Sequence, residues 1–572
     1  MRRLALLLAL TALACTTTKP TPDTVAGLAE EQWQHQLLSD AGARASLGLP
    51  IEHLPDVTFA NTQREADFAR GMLARIERID ATQLTEDDRI TLDVLRHRQQ
   101  HAIDEPRWYW HTFLVTPYAT PIVGIDTILG ARPLRTQSDL DNYLHLLDEY
   151  ALFIDRIAGV VREQEQRGIR VPKLELPAVR ATLASLRGVS LVPDEARLAA
   201  IDGAARDTFL ATARQKAQTK IEPAFAHLVD LFSPAYESAA PERVGVMNQP
   251  GGAEAYRALI RLQTTLDLDP DEVHALGLRE VERIEGEMAK VREQLGFRGT
   301  SADFRQFVRS DPRFFGKSAD EIGQRLGAYV KKIEPHIDAY FATKPRAPYD
   351  VRRLDPNLEG SMTFGYYQQP TASDPAGHYF YNGSKPDQRS MLSAASLMLH
   401  ELVPGHHFQI NRQLENASLP RFRSRSFDNV FIEGWGEYAA TLGWEMGLFD
   451  DPYDRYGRLM IEMMMACRLV VDTGMNAKGW TREQAIDFLR AHTLLSETEL
   501  ATETLRYSVD IPAQALAYKI GSLRMLELRR RAEQQLGSRF DVRAFHEWMI
   551  GSGSMPLPAL EAHIERMIAQ AK

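Results

Sequence analysis

Four ionisable side chains stand inside an apolar run at residues 396–410, Ser-Leu-Met-Leu-His-Glu-Leu-Val-Pro-Gly-His-His-Phe-Gln-Ile: His400, Glu401, His406 and His407. Burying such groups is costly unless they partner one another or a common ligand. Imidazole nitrogens and carboxylate oxygens are donors for a divalent metal. The pattern HExxH sets two histidine ligands one helical turn apart, with the glutamate between them as general base. Here Pro404 occupies the second ligand position, and Gly405, His406 and His407 follow.

Two ligand nitrogens on one tetrahedral ion, each about 2.1 Å from it, lie about 3 to 3.5 Å apart. On an ideal helix of ~100° per residue, His406 is about 240° around from His400. His407 returns to within about 20° of it, but about 10 Å further along the axis. Neither meets His400 on a straight helix. Pro404 lacks an N–H, and its ring clashes with the carbonyl of His400. Gly405 then tolerates almost any backbone conformation. A kink or bulge that absorbs two residues brings His406 to the second ligand position. His407, the competing ligand, then lies behind it or faces the substrate. A third ligand is still owed. Glu433, 27 residues after His406, and Glu437, one turn later, are the candidates, both on the apolar segment Phe427–Met446.

The elements that must hold these groups are mostly helices. From about 27 to 345, apolar residues recur at helical spacing, as in Gln63–Ile79 and Ser138–Arg162. Pro270-Asp271-Glu272 opens a helix with buried stripe Val273, Leu276, Val281 and Ile284. After the histidines, helices are expected at about 427–446, 452–476, 481–492 behind a Thr481 cap, 496–507, 511–535 and 558–570. The one change of character lies at 357–383. There the aromatic runs Phe364–Tyr367 and His378–Tyr381, separated by Pro- and Gly-bearing turns, predict a small hairpin with an exposed edge. On such an edge an extended peptide adds as a further strand, and His378 and Tyr379 are then candidate substrate contacts. His546, beside Phe545 and Trp548, reads as a packing histidine.

The net charge of −10 gives no footprint for nucleic acid, and no basic run compensates for it. Arg2 and Arg3 followed by apolar Leu4–Leu13 form a signal-peptide pattern too short to span a bilayer. Ala12-Leu13-Ala14-Cys15 resembles a bacterial lipobox, which implies removal of residues 1–14 and lipidation of Cys15. Thr16 lacks the inner-membrane retention aspartate, which favours the outer membrane, with the protein facing the periplasm. Residues 15–26 have the composition of a tether, and 27–572 are expected to form one large domain, with an N-terminal helical half to about 345 and a catalytic half beyond. Cys467 is the only other cysteine, so no disulfide is expected; among methionines and leucine it reads as a buried core thiol.

The paired motifs HELVPGHHFQ and EGWGEY resemble those of the bacterial "domain of unknown function 885" family, HE-x-x-PGHH-x-Q and EGW-x-x-Y, with similarity from about residue 27 to the C-terminus. That family is similar to helical zinc peptidases of the thimet-oligopeptidase, angiotensin-converting-enzyme and carboxypeptidase-Taq kind. The resemblance implies a mainly α fold with a deep groove and a small hairpin or edge strand before the metal helix. It also implies one Zn2+ on His400, His406 and Glu433, with Glu401 as base, and an oligopeptide substrate. Such relatives stabilise the oxyanion with a tyrosine or histidine from the C-terminal part. Arg506–Gly521 resembles a further family signature. It implies Tyr518 in that role, with Tyr507 as second choice and Arg506 as a clamp for a substrate carboxylate. The expected activity is zinc-dependent peptide hydrolysis. A zinc amidase acting on non-peptide or cell-wall amides and a non-catalytic peptide-binding lipoprotein are the alternatives, although a binding module has no need of Glu401 beside a ligand pair.

Overall fold

The structure, a computed structural model, describes residues 23–356, 359, 365–371 and 374–572. Cys15, the signal pattern, the first part of the tether and Phe364 lie outside the described residues. The fold is mainly α, as the periodicity predicts, with one small sheet. The first helix, Val25–Ser39, starts where Thr24 accepts the backbone N–H of Gly27. No described helix is long and apolar enough to cross a membrane.

Helices form where pattern and caps agree. Pro270–Gln294 opens behind Asp269, whose side chain accepts the N–H of Asp271, and it buries Val273, Val281 and Ile284. Arg482–His492 begins with a reciprocal capping box between Thr481 and Gln484. Helix Pro452–Ala477 is buried along most of its length and supplies side chains to both hydrophobic cores of the molecule. It crosses Pro270–Gln294 closely at Gly277, where a Cβ would come within 2.8 Å of Leu469 and Val470.

The sheet has three strands, β1 (Tyr349–Arg353), β2 (Gly365–Gln368) and β3 (Gly377–Tyr381), in the order β1-β3-β2. β2 and β3 form the expected antiparallel pair, with Tyr367 opposite Tyr379. β1 was not foreseen. It pairs in parallel with β3, Asp350 opposite His378, and makes β3 the central strand instead of an edge.

The run 396–410 is not one bent helix. It divides into Ala394–Glu401 and His406–Leu414, with Leu402–Gly405 between them. Near the C-terminus a wide turn, Arg506–Asp510, delays the Tyr518 helix to Leu516–Leu536, and Val542–Ile550 adds a helix absent from the sequence reading. His546 on that helix is a packing residue: Tyr438 donates to its Nε2 at 2.8 Å, and its Nδ1 donates to the Tyr340 carbonyl at 2.9 Å.

Candidate metal centre

The break at Leu402–Gly405 is what gathers the donors. A Cβ on Gly405 would lie 1.7 Å from the carbonyl oxygen of His400, so only glycine allows the chain to fold back so tightly. The Trp435 indole, fully buried, donates to the carbonyl of Pro404 at 2.9 Å and ties the break to the next helix. That helix, Asn429–Glu445, carries both candidate glutamates. Gly436 on it leaves room for a ligand, since a Cβ there would stand 2.8 to 2.9 Å from the ring atoms of His400. On the far side it meets the Tyr518 helix at Gly434 and Gly521, where a Cβ on Gly434 would lie 2.6 Å from the Gly521 Cα.

His400, His406 and Glu433 come together, with one donor atom of each within 4.8 Å of the others. Glu433 Oε2 lies 3.5 Å from Nε2 of His400 and 3.5 Å from Nε2 of His406. Donors 2.0–2.1 Å from a tetrahedral ion are about 3.4 Å apart, so the carboxylate stands at ligand spacing from both imidazoles. The imidazole planes cross at 80° with centroids 4.6 Å apart. Two imidazoles and one carboxylate are a usual donor set for catalytic zinc, which leaves a coordination position open. Donor set and spacing together fit such an ion.

Glu437 takes a different place from its rival. Its Oε1 lies 3.0 Å from Nδ1 of His400, on the side of the ring away from Glu433, and its Oε2 accepts Arg458 Nη1 at 3.0 Å. Arg458 also donates to Ser396 Oγ at 3.1 Å. Glu437 therefore holds the proton on Nδ1 and leaves Nε2 to face Glu433, the way a carboxylate usually orients a histidine that ligates a metal. Sequence reasoning missed Arg458, although a charged residue in the apolar stretch 456–471 was a readable signal.

The metal-free electrostatics follow from this packing. Burial pulls the His400 imidazolium down, but Glu433 and Glu437 outweigh it and hold the group up at about 10. Burial pushes Glu433 up, and the two histidines more than reverse this, so it stays ionised. Glu437 is likewise raised by burial, then brought down to about 2 by Arg458 and His400. Glu401, beside the donors at the end of its helix, keeps a raised pKa, chiefly through burial and also through the Glu433 charge. The backbone of Tyr367 offers it a hydrogen bond, so β2 runs beside Glu401.

Tyr518 lies next to the donors, its ring nearly parallel to that of His400 at 19° and 6.4 Å between centroids. Arg468 sits 4.7 Å from the centre of the same ring. Burial and then the Glu433 charge push the phenol up to about 12, so it retains its proton and can donate. Tyr507, the second choice, is 1% exposed and is taken by Glu503 and by Arg468, whose Nε donates to it at 2.7 Å.

Four of the expected substrate contacts are enclosed. His407 is fully buried; its Nε2 donates to the Ala347 carbonyl at 3.0 Å and its Nδ1 accepts the Tyr367 hydroxyl at 3.1 Å. Burial brings it down to about 4, so it is a neutral strut beneath the sheet and does not face a substrate. His378, also fully buried, is gripped by Asp350 at 2.5 Å and Asp374 at 3.0 Å. Tyr379 is 1% exposed on the central strand, and Tyr507 is enclosed as above. These four expectations are corrected on one ground: no face of the side chain is open to a ligand. Arg506 keeps 15% of its side chain exposed, but it is engaged by Glu503 at 3.3 Å and Gln514 at 2.9 Å.

The family model described as "Bacterial protein of unknown function (DUF885)" matches residues 43–564. The chain belongs to this family. No curated protein matches the sequence. Among solved structures, a candidate lipoprotein from Colwellia psychrerythraea is 23% identical, with a TM-score of 0.87 over 96% of this chain and 99% of that one. A candidate lipoprotein of unknown function from Shewanella oneidensis is 18% identical, with a TM-score of 0.73 over 94% of this chain and 99% of that one. At these identities the DUF885 chain shares a fold with both. A candidate oligoendopeptidase F from Bacillus anthracis, 11% identical over 90% of this chain and 96% of that one, superposes with a TM-score of only 0.26 and carries no argument.

Proposed function

We propose that this DUF885 protein is a zinc-dependent peptidase acting on oligopeptides, exported and held at the outer membrane, facing the periplasm, by a lipid on Cys15. The observation that carries the reading is the convergence of His400, His406 and Glu433, with 3.5 Å between Glu433 and each imidazole and with Glu401 next in sequence to the first ligand. A bound zinc would supply Lewis acidity and lower the pKa of water at the open position. Glu401 takes the proton of the attacking water and passes it to the leaving nitrogen, a task suited to a carboxylate with raised pKa. Tyr518 donates its phenolic proton in a hydrogen bond to the developing oxyanion. Glu437 and Arg458 keep His400 in the orientation this requires. The substrate backbone lies extended along β2, whose Tyr367 amide neighbours the base.

Metal analysis of the purified protein and a quenched-fluorescence peptide assay test this. Glu401→Gln should keep the zinc and lose roughly 10²- to 10⁴-fold in kcat/KM. A zinc-free protein, or an unchanged rate in Glu401→Gln, would sink the proposal. A panel of blocked and free-ended peptides alongside non-peptide amides separates the peptidase from an amidase.

A further inference from the structure

A second donor cluster lies far from the first in sequence. Residues 51–54, outside any helix or strand, pass along one face of the long helix Gln137–Gln166, held by three side chains of that helix. Asn142 Nδ2 donates to the Ile51 carbonyl at 2.9 Å, His145 Nε2 donates to the Glu52 carbonyl at 2.6 Å, and Glu149 Oε2 accepts the Leu54 N–H at 3.2 Å. His53 folds back over this strap, with Nδ1 3.5 Å from Glu149 Oε2. Its ring centroid is 6.3 Å from that of His145, at 74°. One donor atom from each of His53, His145 and Glu149 lies within 4.8 Å of the others; among the described residues, only this group and the His400 group converge so.

The protonation pattern suits a metal. A carbonyl oxygen cannot donate, so the His145 Nε2 facing Glu52 carries a hydrogen, and Nδ1 is the nitrogen left to hold a metal. Carbonyl anchoring of the distal nitrogen is a common way to orient a ligand histidine. His53 Nδ1 stands at ligand spacing from Glu149, as at the first centre, but the two rings are further apart, 6.3 Å between centroids against 4.6 Å, so they must draw together around an ion. The His53 side chain, 68% exposed, is free to make that movement. Two imidazoles and one carboxylate select borderline dications such as Zn2+ or Cu2+ over Mg2+ or Ca2+.

We infer that His53, His145 and Glu149 form a second, solvent-facing site for a divalent transition metal, zinc first. The ion bridges the strap 51–54 to the helix and staples the N-terminal part of the chain to the body. This inference does not depend on the peptidase reading.

The full chain, stripped with a chelator and equilibrated with zinc chloride, should bind two ions, the second more weakly. His53→Ala should remove the weaker ion alone, His400→Ala the tighter alone, and the double variant both. Zinc should slow amide exchange in residues 50–57 of the wild type and of His400→Ala, but not of His53→Ala. Should the first centre bind no zinc, the wild type holds one ion, and His53→Ala loses it. Equal zinc content in wild type and His53→Ala, or exchange in 50–57 indifferent to zinc, overturns the inference. His53 is exposed, so its replacement leaves the fold intact, which far-UV circular dichroism verifies.

Discussion

Replacing Glu437 by Gln separates the roles of the two glutamates on one helix. The carboxylate works with both oxygens: one takes the Nδ1 proton of His400 at 3.0 Å, the other takes Arg458 at 3.0 Å. The Gln amide has one acceptor and one NH2 group, so it satisfies either His400 or Arg458 and turns a donor toward the other. Carboxylate and guanidinium are both enclosed, with side-chain exposure of 3% for Glu437 and 2% for Arg458. If the amide oxygen stays on His400, buried Arg458 loses the carboxylate it is bonded to and keeps Ser396 Oγ and the more distant charge of Glu462, a fault that costs up to about 3 kcal/mol of stability. If it turns to Arg458, His400 loses its orienting acceptor, and zinc affinity falls roughly 10- to 100-fold, or about 1.4 to 2.8 kcal/mol. Competition for zinc against a chromophoric chelator, with a melting curve on the same sample, reads both effects. Glu433→Gln, which removes a ligand outright, should cost more in zinc affinity than Glu437→Gln while disturbing the melting curve less. The reverse order in the zinc assay, or a loss under about threefold for Glu437→Gln with an unchanged melting temperature, refutes this division of labour.

Tyr518→Phe removes the phenolic donor beside His400 and should lower kcat by about 10²- to 10³-fold, with KM and zinc content near wild type; a change confined to KM would place Tyr518 in binding alone. Gly436→Ala puts a methyl 2.8 Å from the buried His400 ring. It should cost about 1–3 kcal/mol of overpacking and weaken zinc binding in step, as a thermal melt and the chelator assay report. In the metal-free protein His400 holds its proton up to about pH 10, well above the ordinary histidine value. Its contribution to folding is therefore complete below about pH 6.5 and is lost as pH rises through about 10. Zinc must displace that proton, so apparent zinc affinity should climb roughly tenfold per pH unit across the neutral range, as calorimetry in buffers of different protonation enthalpy would show.

The sequence makes the helical fold plain because apolar periodicity and caps agree along most of the chain; Thr481, with Gln484 three residues on, is a clear instance. It also marks the break at Pro404-Gly405, since no straight helix joins His400 to His406. What it does not reveal depends on partners far away in the chain. Glu433 and Glu437 are one turn apart on the same helix, and spacing alone cannot say which faces the metal. That is decided by Arg458, on another helix, which claims Glu437. His378 and Tyr379 carry an edge-strand pattern, but strand order is a tertiary fact, and the unforeseen β1 closes that edge. The helix carrying Phe545 and His546 escaped notice because it is short, nine residues, and sits between turn-forming segments.

The interruption between the two histidines changes more than their spacing. In an unbroken HExxH helix the glutamate sits mid-helix, where neither end of the macrodipole acts on it. Here Glu401 is the last residue of Ala394–Glu401, and the negative end of the dipole opposes its charge. Burial and the neighbouring Glu433 act in the same direction. The following helix begins at His406, so the two imidazoles stand at facing ends of two separate helices. Splitting the helix thus adds the dipole to burial in raising the Glu401 carboxyl, against the pull of His406 and His400 in the other direction. A proline that would only damage a continuous helix here ends the first at Glu401 and lets the second begin at His406, which is what brings His400 and His406 together.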